Sequence, residues 1–207
     1  MAIVSDQRKD LELTGASGTN NLSIKEFLAL PETKPASEYI GGSISQKPMP
    51  QGQHSRLQLK FCNAINAVTE DKQIALAFPE LRCTFGDRSI VPDVAVFQWE
   101  RLPMNAEGEI ENVFSAAPDW VIEILSPDQS PIRVISNILH DLKHGTEMGW
   151  LLFPKERSLL IFQRDRQPIE INDNVNSNEK LLVPNFLKSE LNLTINQVFN
   201  WLKLRAL

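Results

Sequence analysis

Apolar positions in this chain recur at two spacings, and their order predicts a mixed α/β architecture. From His54 to about Thr69, Leu57, Phe61, Ile65 and Val68 return at the interval of an amphipathic helix. A second helix is predicted from about Pro131 to His144, with Val134, Ile135, Ile138, Leu139 and Leu142 on one face and Gly145 as its stop. Capping boxes announce two shorter helices. Ser23-Ile24-Lys25-Glu26 opens one that Pro31 ends, and Thr194-Ile195-Asn196-Gln197 opens another through Val198, Trp201 and Leu202. Strand-like runs occupy 74–78, 81–85, 90–99, 120–125, 150–153 and 158–163, the last two joined by a hairpin turn at Pro154-Lys155-Glu156-Arg157. Gly-Gly and the prolines around residues 33–53 frame a brief strand or hairpin, whereas 100–117 reads as a polar loop with a turn at Glu107-Gly108. Residues 1–22 are polar and aperiodic and are expected to form a flexible arm, with 23–207 as one domain. The economical fold is a mixed central β-sheet flanked by helices, with an N-terminal helix and hairpin.

Composition narrows the class. Hydrophobic residues make up 42% and charged residues 23% of the 207, the balance of a globular chain rather than a disordered or fibrous one. No apolar run is long enough for a membrane span, and the first fifteen residues lack the pattern of a secretory signal. Two cysteines, Cys62 and Cys83, are too few for a disulfide framework or a cysteine-rich zinc site, so a reducing, cytoplasmic setting is expected. A formal net charge of −5 argues against coating nucleic acid by bulk charge. It leaves room for an enzyme that confines positive charge to one cleft.

Two carboxylates stand out by their surroundings. Asp93 lies inside IVPDVAVF and Glu123 inside WVIEIL, both otherwise apolar and strand-like. Period-two alternation puts Val91, Asp93 and Ala95 on one face of their strand. A carboxylate among buried residues costs several kcal/mol unless it is paired or bound to a cation. Two such groups on neighbouring strands could share one divalent ion through oxygen ligands; the alternative is that each is exposed or salt-bridged at a strand end. With two like charges side by side, Asp93→Asn should leave the fold intact or slightly more stable.

Several segments together resemble one bacterial family. They are Glu38-Tyr39 with Gly42, His54 at the start of a helix, Pro92-Asp93-Val94-Ala95-Val96, the run from Pro118-Asp119-Trp120 through Glu123 to Ser126-Pro127, Gly145, and Trp150-Leu151-Leu152-Phe153-Pro154. The ordered set is similar to the Uma-two family, restriction-endonuclease-like proteins with the PD-(D/E)xK nuclease core, from about Ser23 to the end. The resemblance implies a Mg²⁺ (or Mn²⁺) ion held by Asp93 and Glu123 on adjacent strands, a nearby lysine assisting the attacking water, and hydrolysis of a DNA phosphodiester. A metal fits that chemistry because it acidifies water and offsets phosphate charge. An enzyme that cuts both strands commonly works as a symmetric homodimer.

The chain departs from that pattern at its cations. The residue two after Glu123 is Leu125, and the helix position where many relatives carry lysine is Asn137. Arg133 and Lys143 are the nearest cations on the helix, as catalytic aids or as solvated surface charges. Phe153 stands where relatives often have aspartate. His54 could orient a ligand or touch phosphate, or simply cap and pack; Asp119 could be a third ligand or a strand opener. His140 and His144, spaced i, i+4, lack the intervening glutamate of a zinc-protease helix and fall on its polar side. Ser126-Pro127 lacks the glycines of a nucleophile elbow. Two functions from different classes therefore follow: a Mg²⁺-dependent endonuclease, or a catalytically degenerate nuclease fold that binds DNA or protein. A metal-free structural protein would leave the two buried carboxylates unexplained.

Overall fold

The computed structural model describes residues 22–204 apart from 128 and 177, so the arm expected over 1–22 lies, but for Leu22, outside the described residues. The elements begin with α1 (Ile24–Leu28), the hairpin β1 (Ser37–Ile40) and β2 (Ser43–Gln46), and the long α2 (Gly52–Thr69). Then come β3 (Ala75–Pro79), β4 (Cys83–Phe85), β5 (Arg88–Ile90), β6 (Val94–Gln98) and β7 (Trp120–Ile124). After α3 (Pro131–Lys143) follow β8 (Met148–Phe153), β9 (Ser158–Gln163), β10 (Ile169–Asn172), α4 (Asp173–Asn176) and α5 (Ile195–Asn200). Both capping boxes read from the sequence are formed, at Ser23 with Glu26 and at Thr194 with Gln197.

The strands make two sheets rather than one. A six-stranded sheet runs β10-β9-β8-β7-β6-β3, and a four-stranded antiparallel sheet runs β2-β1-β5-β4. In the larger sheet only β7 and β8 are parallel, as required by the α3 crossover between them. Its one face packs on α2 and α5: Leu57, Phe61 and Ile65 of α2 meet Val94, Val96, Ile122 and Trp150. Each of those fully buried side chains contributes about 1.5–3 kcal/mol of transfer free energy. Trp150 anchors this layer, edge-on to Trp120 with ring centroids 4.8 Å apart and to Phe61 at 6.0 Å. On the opposite face α3 covers Val121, Leu151 and Phe162, while the small sheet lays Cys83, Phe85 and Ile90 against Ala95 and Phe97. Gly149 lets α3 lie close: a Cβ there would stand 2.4 Å from Ile138 Cγ2.

The single strand expected over 90–99 is in fact two, in different sheets. Val91-Pro92-Asp93 breaks it, because Pro92 offers no N–H and main-chain groups on either side of it are taken up by side chains. Val91 N–H donates to Glu38 Oε1 at 3.0 Å, and the Asp93 carbonyl accepts from Gln58 Nε2 at 2.8 Å. Asp93 thus stands at the junction of the two sheets, immediately before β6. The sequence pattern also passed over β10, α4 and the short 3₁₀ turn at Asn185–Leu187, which are too brief to show a period.

Candidate active site

Register brings the two carboxylates together. β6 and β7 are antiparallel with Val94 opposite Ile122. One step further, Asp93 falls opposite Glu123, and directly opposed residues of an antiparallel pair share a face. It is the face beneath α3 and the small sheet. Both side chains are buried, at 2% and 3% exposure.

What joins them is a lysine that no motif flagged. Lys47, just past β2, puts Nζ 2.6 Å from Asp93 Oδ1 and 3.7 Å from Glu123 Oε2, and it also donates to the Val91 carbonyl at 2.7 Å. The other Asp93 oxygen, Oδ2, accepts the Ile124 backbone N–H at 2.7 Å and lies 3.0 Å from His54 Nε2. Because an ionised carboxylate can only accept, that contact makes His54 Nε2 the donor. His54 Nδ1 is buried without a partner. Glu38, from β1, completes the acidic set: its Oε2 accepts from Asn137 Nδ2 at 3.4 Å, and Asn137 Oδ1 in turn accepts from Arg88 Nη1 at 2.9 Å.

Burial and charge pull the groups apart in acidity. Burial alone would raise Asp93, but Lys47 and His54 outweigh it and hold the carboxyl well below the usual range. Burial opposes charge on Lys47, yet Asp93, with Glu123 and Glu38, more than reverses this and keeps the ammonium protonated far into alkaline pH. For Glu123, burial wins: Lys47 offsets only part of it, Asp93 and Glu38 add repulsion, and the carboxyl is pushed well above its ordinary value. The acidities of the two carboxyls are therefore driven in opposite directions, the divergence expected of coupled carboxylates at functional sites. Asp141 of α3 is also fully buried, with both carboxylate oxygens unpartnered, and burial raises it too.

The remaining candidates are dispersed. Asn137 is buried in the Glu38–Arg88 link. Lys143 is exposed on the far side of α3, and Arg133 is half-buried; among the described residues the ion pairs of Asp93 and Glu123 are with Lys47 and His54, not with either. The buried face of α3 is rotated from the one its apolar residues predict. Leu139 is 53% exposed while Asn137, His140 and Asp141 point inward, Asn137 towards Glu38 on β1 and Arg88 on β5 and His140 towards the Phe85 carbonyl of β4. His140, expected on the polar side, is buried, donates from Nε2 to the Phe85 carbonyl and stacks on the Phe85 ring. Asp119 opens β7, where it accepts from Gln98 N–H and from Arg101 Nη1, a structural anchor away from Asp93.

Sequence reasoning missed Lys47, Glu38, Arg88 and Asp141 as members of the cluster. Lys47 sits in QKPMP, where a charge before proline reads as an exposed turn; Glu38 stood in a recognised motif, but a four-residue strand gives no burial signal. Solvent reaches Asp93 through a cavity of ≈ 390 Å³ lined also by Lys47, His54, Ser126 and Gln129. A neighbouring cavity of ≈ 480 Å³ shares His54 and Ser126 and continues past Lys155. Among the described residues no group of three or more His, Cys, Asp or Glu side chains forms a ready metal cage.

Comparison with known proteins agrees with this architecture. The crystal structure of a putative nuclease belonging to DUF820, from Anabaena variabilis ATCC 29413, is 52% identical, with a TM-score of 0.84 over 87% of this chain and 99% of that one. Among curated proteins none matches. The family Uma2, described as putative restriction endonuclease, matches residues 24–196, and the chain belongs to that family.

Proposed function

We propose that this protein is a metal-dependent endonuclease that hydrolyses DNA phosphodiester bonds at the Asp93–Glu123 pair. The observation that carries the reading is the convergence of two buried carboxylates, from adjacent strands, on one cation position, now held by the Lys47 ammonium. Their oxygen donors suit Mg²⁺ or Mn²⁺, which keep several ligands as water or substrate phosphate and need few from protein. Asp93 and Glu123 would hold the ion. When bound, such an ion lowers the pKa of coordinated water and offsets charge at the phosphate.

The chain's own groups supply the rest. The Ile124 N–H, His54 and Lys47 fix Asp93 in one orientation, so its carboxylate is preorganised. Burial raises the Glu123 carboxyl well above its ordinary value and ligation needs its ionised form, so ion binding should favour higher pH. The cavity above Asp93 gives a phosphodiester its approach; its walls carry Lys34 and Lys47 but also Glu32 and Glu80, so a bound cation is what would offset the phosphate charge there.

One observation favours the alternative, a nuclease fold kept as a DNA- or protein-binding module: both Asp93 oxygens are already engaged, and the helix position of the family's lysine is Asn137. Plasmid cleavage with Mg²⁺ or Mn²⁺, with and without EDTA, separates the two. Nicking or linearisation that EDTA abolishes and Asp93→Asn removes supports the nuclease. Intact plasmid under every metal, with retained DNA retardation in gels, supports the module.

A further inference from the structure

We propose that Lys47 is an exchangeable counter-ion: its ammonium occupies the position between Asp93 and Glu123 until a divalent cation takes it, and then turns into the adjoining cavity to meet the phosphodiester. The inference rests on the metal-site reading of that pair and adds what the metal must displace.

Three observations carry it. The Lys47 ammonium touches the oxygens that an ion would need, 2.6 Å from Asp93 and 3.7 Å from Glu123. A dication and an ammonium cannot both sit in contact with the same two carboxylates, since the repulsion between them at a few ångströms is large in a buried site. The side chain also has somewhere to go. Lys47 lines the ≈ 390 Å³ cavity together with Asp93, and its flexible four-carbon stem can swing without moving β2. Beyond it, Pro48-Met49-Pro50 carries no regular structure, and Met49 is 66% exposed. In the cavity, where Glu32 and Glu80 also lie, the ammonium keeps its charge and can meet an approaching phosphate, so one residue neutralises the pair without the ion and assists the reaction with it.

The exchange predicts opposite effects of one substitution on two measurements, which loss of a merely structural residue would not give. By calorimetry with MnCl₂, Lys47→Met should bind the ion at least about tenfold more tightly than wild type, because the competing cation is gone. In Mg²⁺-dependent plasmid cleavage the same variant should lose about 10²-fold or more in kcat, because the phosphate loses its ammonium. Lys47→Arg, which keeps the charge, should leave Mn²⁺ affinity near that of wild type. Should Lys47→Met fail to fold, the wild-type protein labelled with ¹³C-lysine decides: the Lys47 ε-carbon resonance, assigned with Lys47→Arg, should move as MgCl₂ saturates the site. Equal or weaker Mn²⁺ binding by Lys47→Met, or an unmoved Lys47 resonance at saturation, overturns the exchange. Wild type that binds Mn²⁺ with these shifts yet cuts no DNA removes the nuclease reading and the phosphate role, and leaves the counter-ion exchange standing.

Discussion

Replacing Asp93 with asparagine should destabilise this protein, contrary to what two adjacent like charges suggest. Viewed from the sequence, Asp93 and Glu123 are unrelieved neighbours, and neutralising one should help. The structure inverts the sign, because Asp93 carries the counter-charge of Lys47, 2.6 Å away, and accepts from His54 and the Ile124 N–H. Asparagine presents one acceptor where three donors converge and takes from the buried ammonium its nearest counter-charge. Removing one partner of a buried pair costs about 3–5 kcal/mol. For a chain of this size that is a fall of about 6–20 °C in Tm. Urea unfolding at pH 7 measures it directly, with an unchanged m-value to show that the unfolded states are comparable. The pH dependence supplies the internal control. Asp93 has its folded pKa depressed, so its stabilisation is present above the unfolded value of about 3.9 and is lost as pH falls toward the lower folded value. The gap between wild type and Asp93→Asn should therefore be flat above about pH 5 and close in stronger acid. A variant within 1 kcal/mol of wild type at pH 7 would falsify the pairing of Asp93 with Lys47.

Other substitutions test other parts of the cluster. Glu123→Gln imitates the protonated acid, so it should match or exceed wild-type stability at pH 7; since the folded pKa is raised, the advantage should appear above about pH 4.3 and grow as pH rises, and a variant less stable at every pH refutes it. Asn137→Lys, attractive as restoration of the helix lysine, should instead lower stability by about 1–3 kcal/mol and leave cleavage no faster, because Arg88 already bonds to Asn137 Oδ1 at 2.9 Å and would lose its acceptor to a like charge; faster cleavage would show that Arg88 yields. Gly149→Ala should cost about 1–3 kcal/mol in denaturant melts, since its Cβ would meet Ile138 Cγ2 at 2.4 Å and push α3 off the sheet; unchanged stability would mean that α3 shifts freely.

Much of the fold was legible because it rests on periodic apolar faces. The α2 stripe of Leu57, Phe61 and Ile65 is buried as its spacing requires, and both capping boxes close as read. What misled was continuity: IVPDVAVF is apolar enough to pass as one strand, yet Pro92 and the side-chain bonds of Val91 and Asp93 divide it between two sheets. Helix α3 failed differently. Its apolar residues define one face, but Asn137, bonded to Glu38 and Arg88, and His140, bonded to the Phe85 carbonyl, turn inward with Asp141 and leave Leu139 outside. Hydrophobic periodicity cannot anticipate a polar interior, because the residues that make it tolerable lie elsewhere in the chain.

The same limit explains why the carboxylates were visible and their cation was not. An acid inside an apolar strand is conspicuous by its local context, so Asp93 and Glu123 could be singled out one segment at a time. A compensating cation has no such local mark. Lys47 is separated from Asp93 by a whole helix and three strands, and its neighbours Pro48 and Pro50 suggest a surface turn. The search for a cation therefore fell on α3, where Arg133 and Lys143 lie close in sequence to Glu123. Yet the small sheet, through β1 and the segment after β2, carries Glu38 and Lys47 onto the face that α3 only partly covers. Four buried acids, Glu38, Asp93, Glu123 and Asp141, meet two buried or half-buried cations, Lys47 and Arg88. Burying that many acids disfavours charge on all of them, and burial raises Glu123 and Asp141 well above the ordinary carboxylate range while Lys47 and His54 hold Asp93 below it. A divalent ion entering the pair would then find Asp93 the readier ligand and would have to favour ionisation of Glu123 to gain the second.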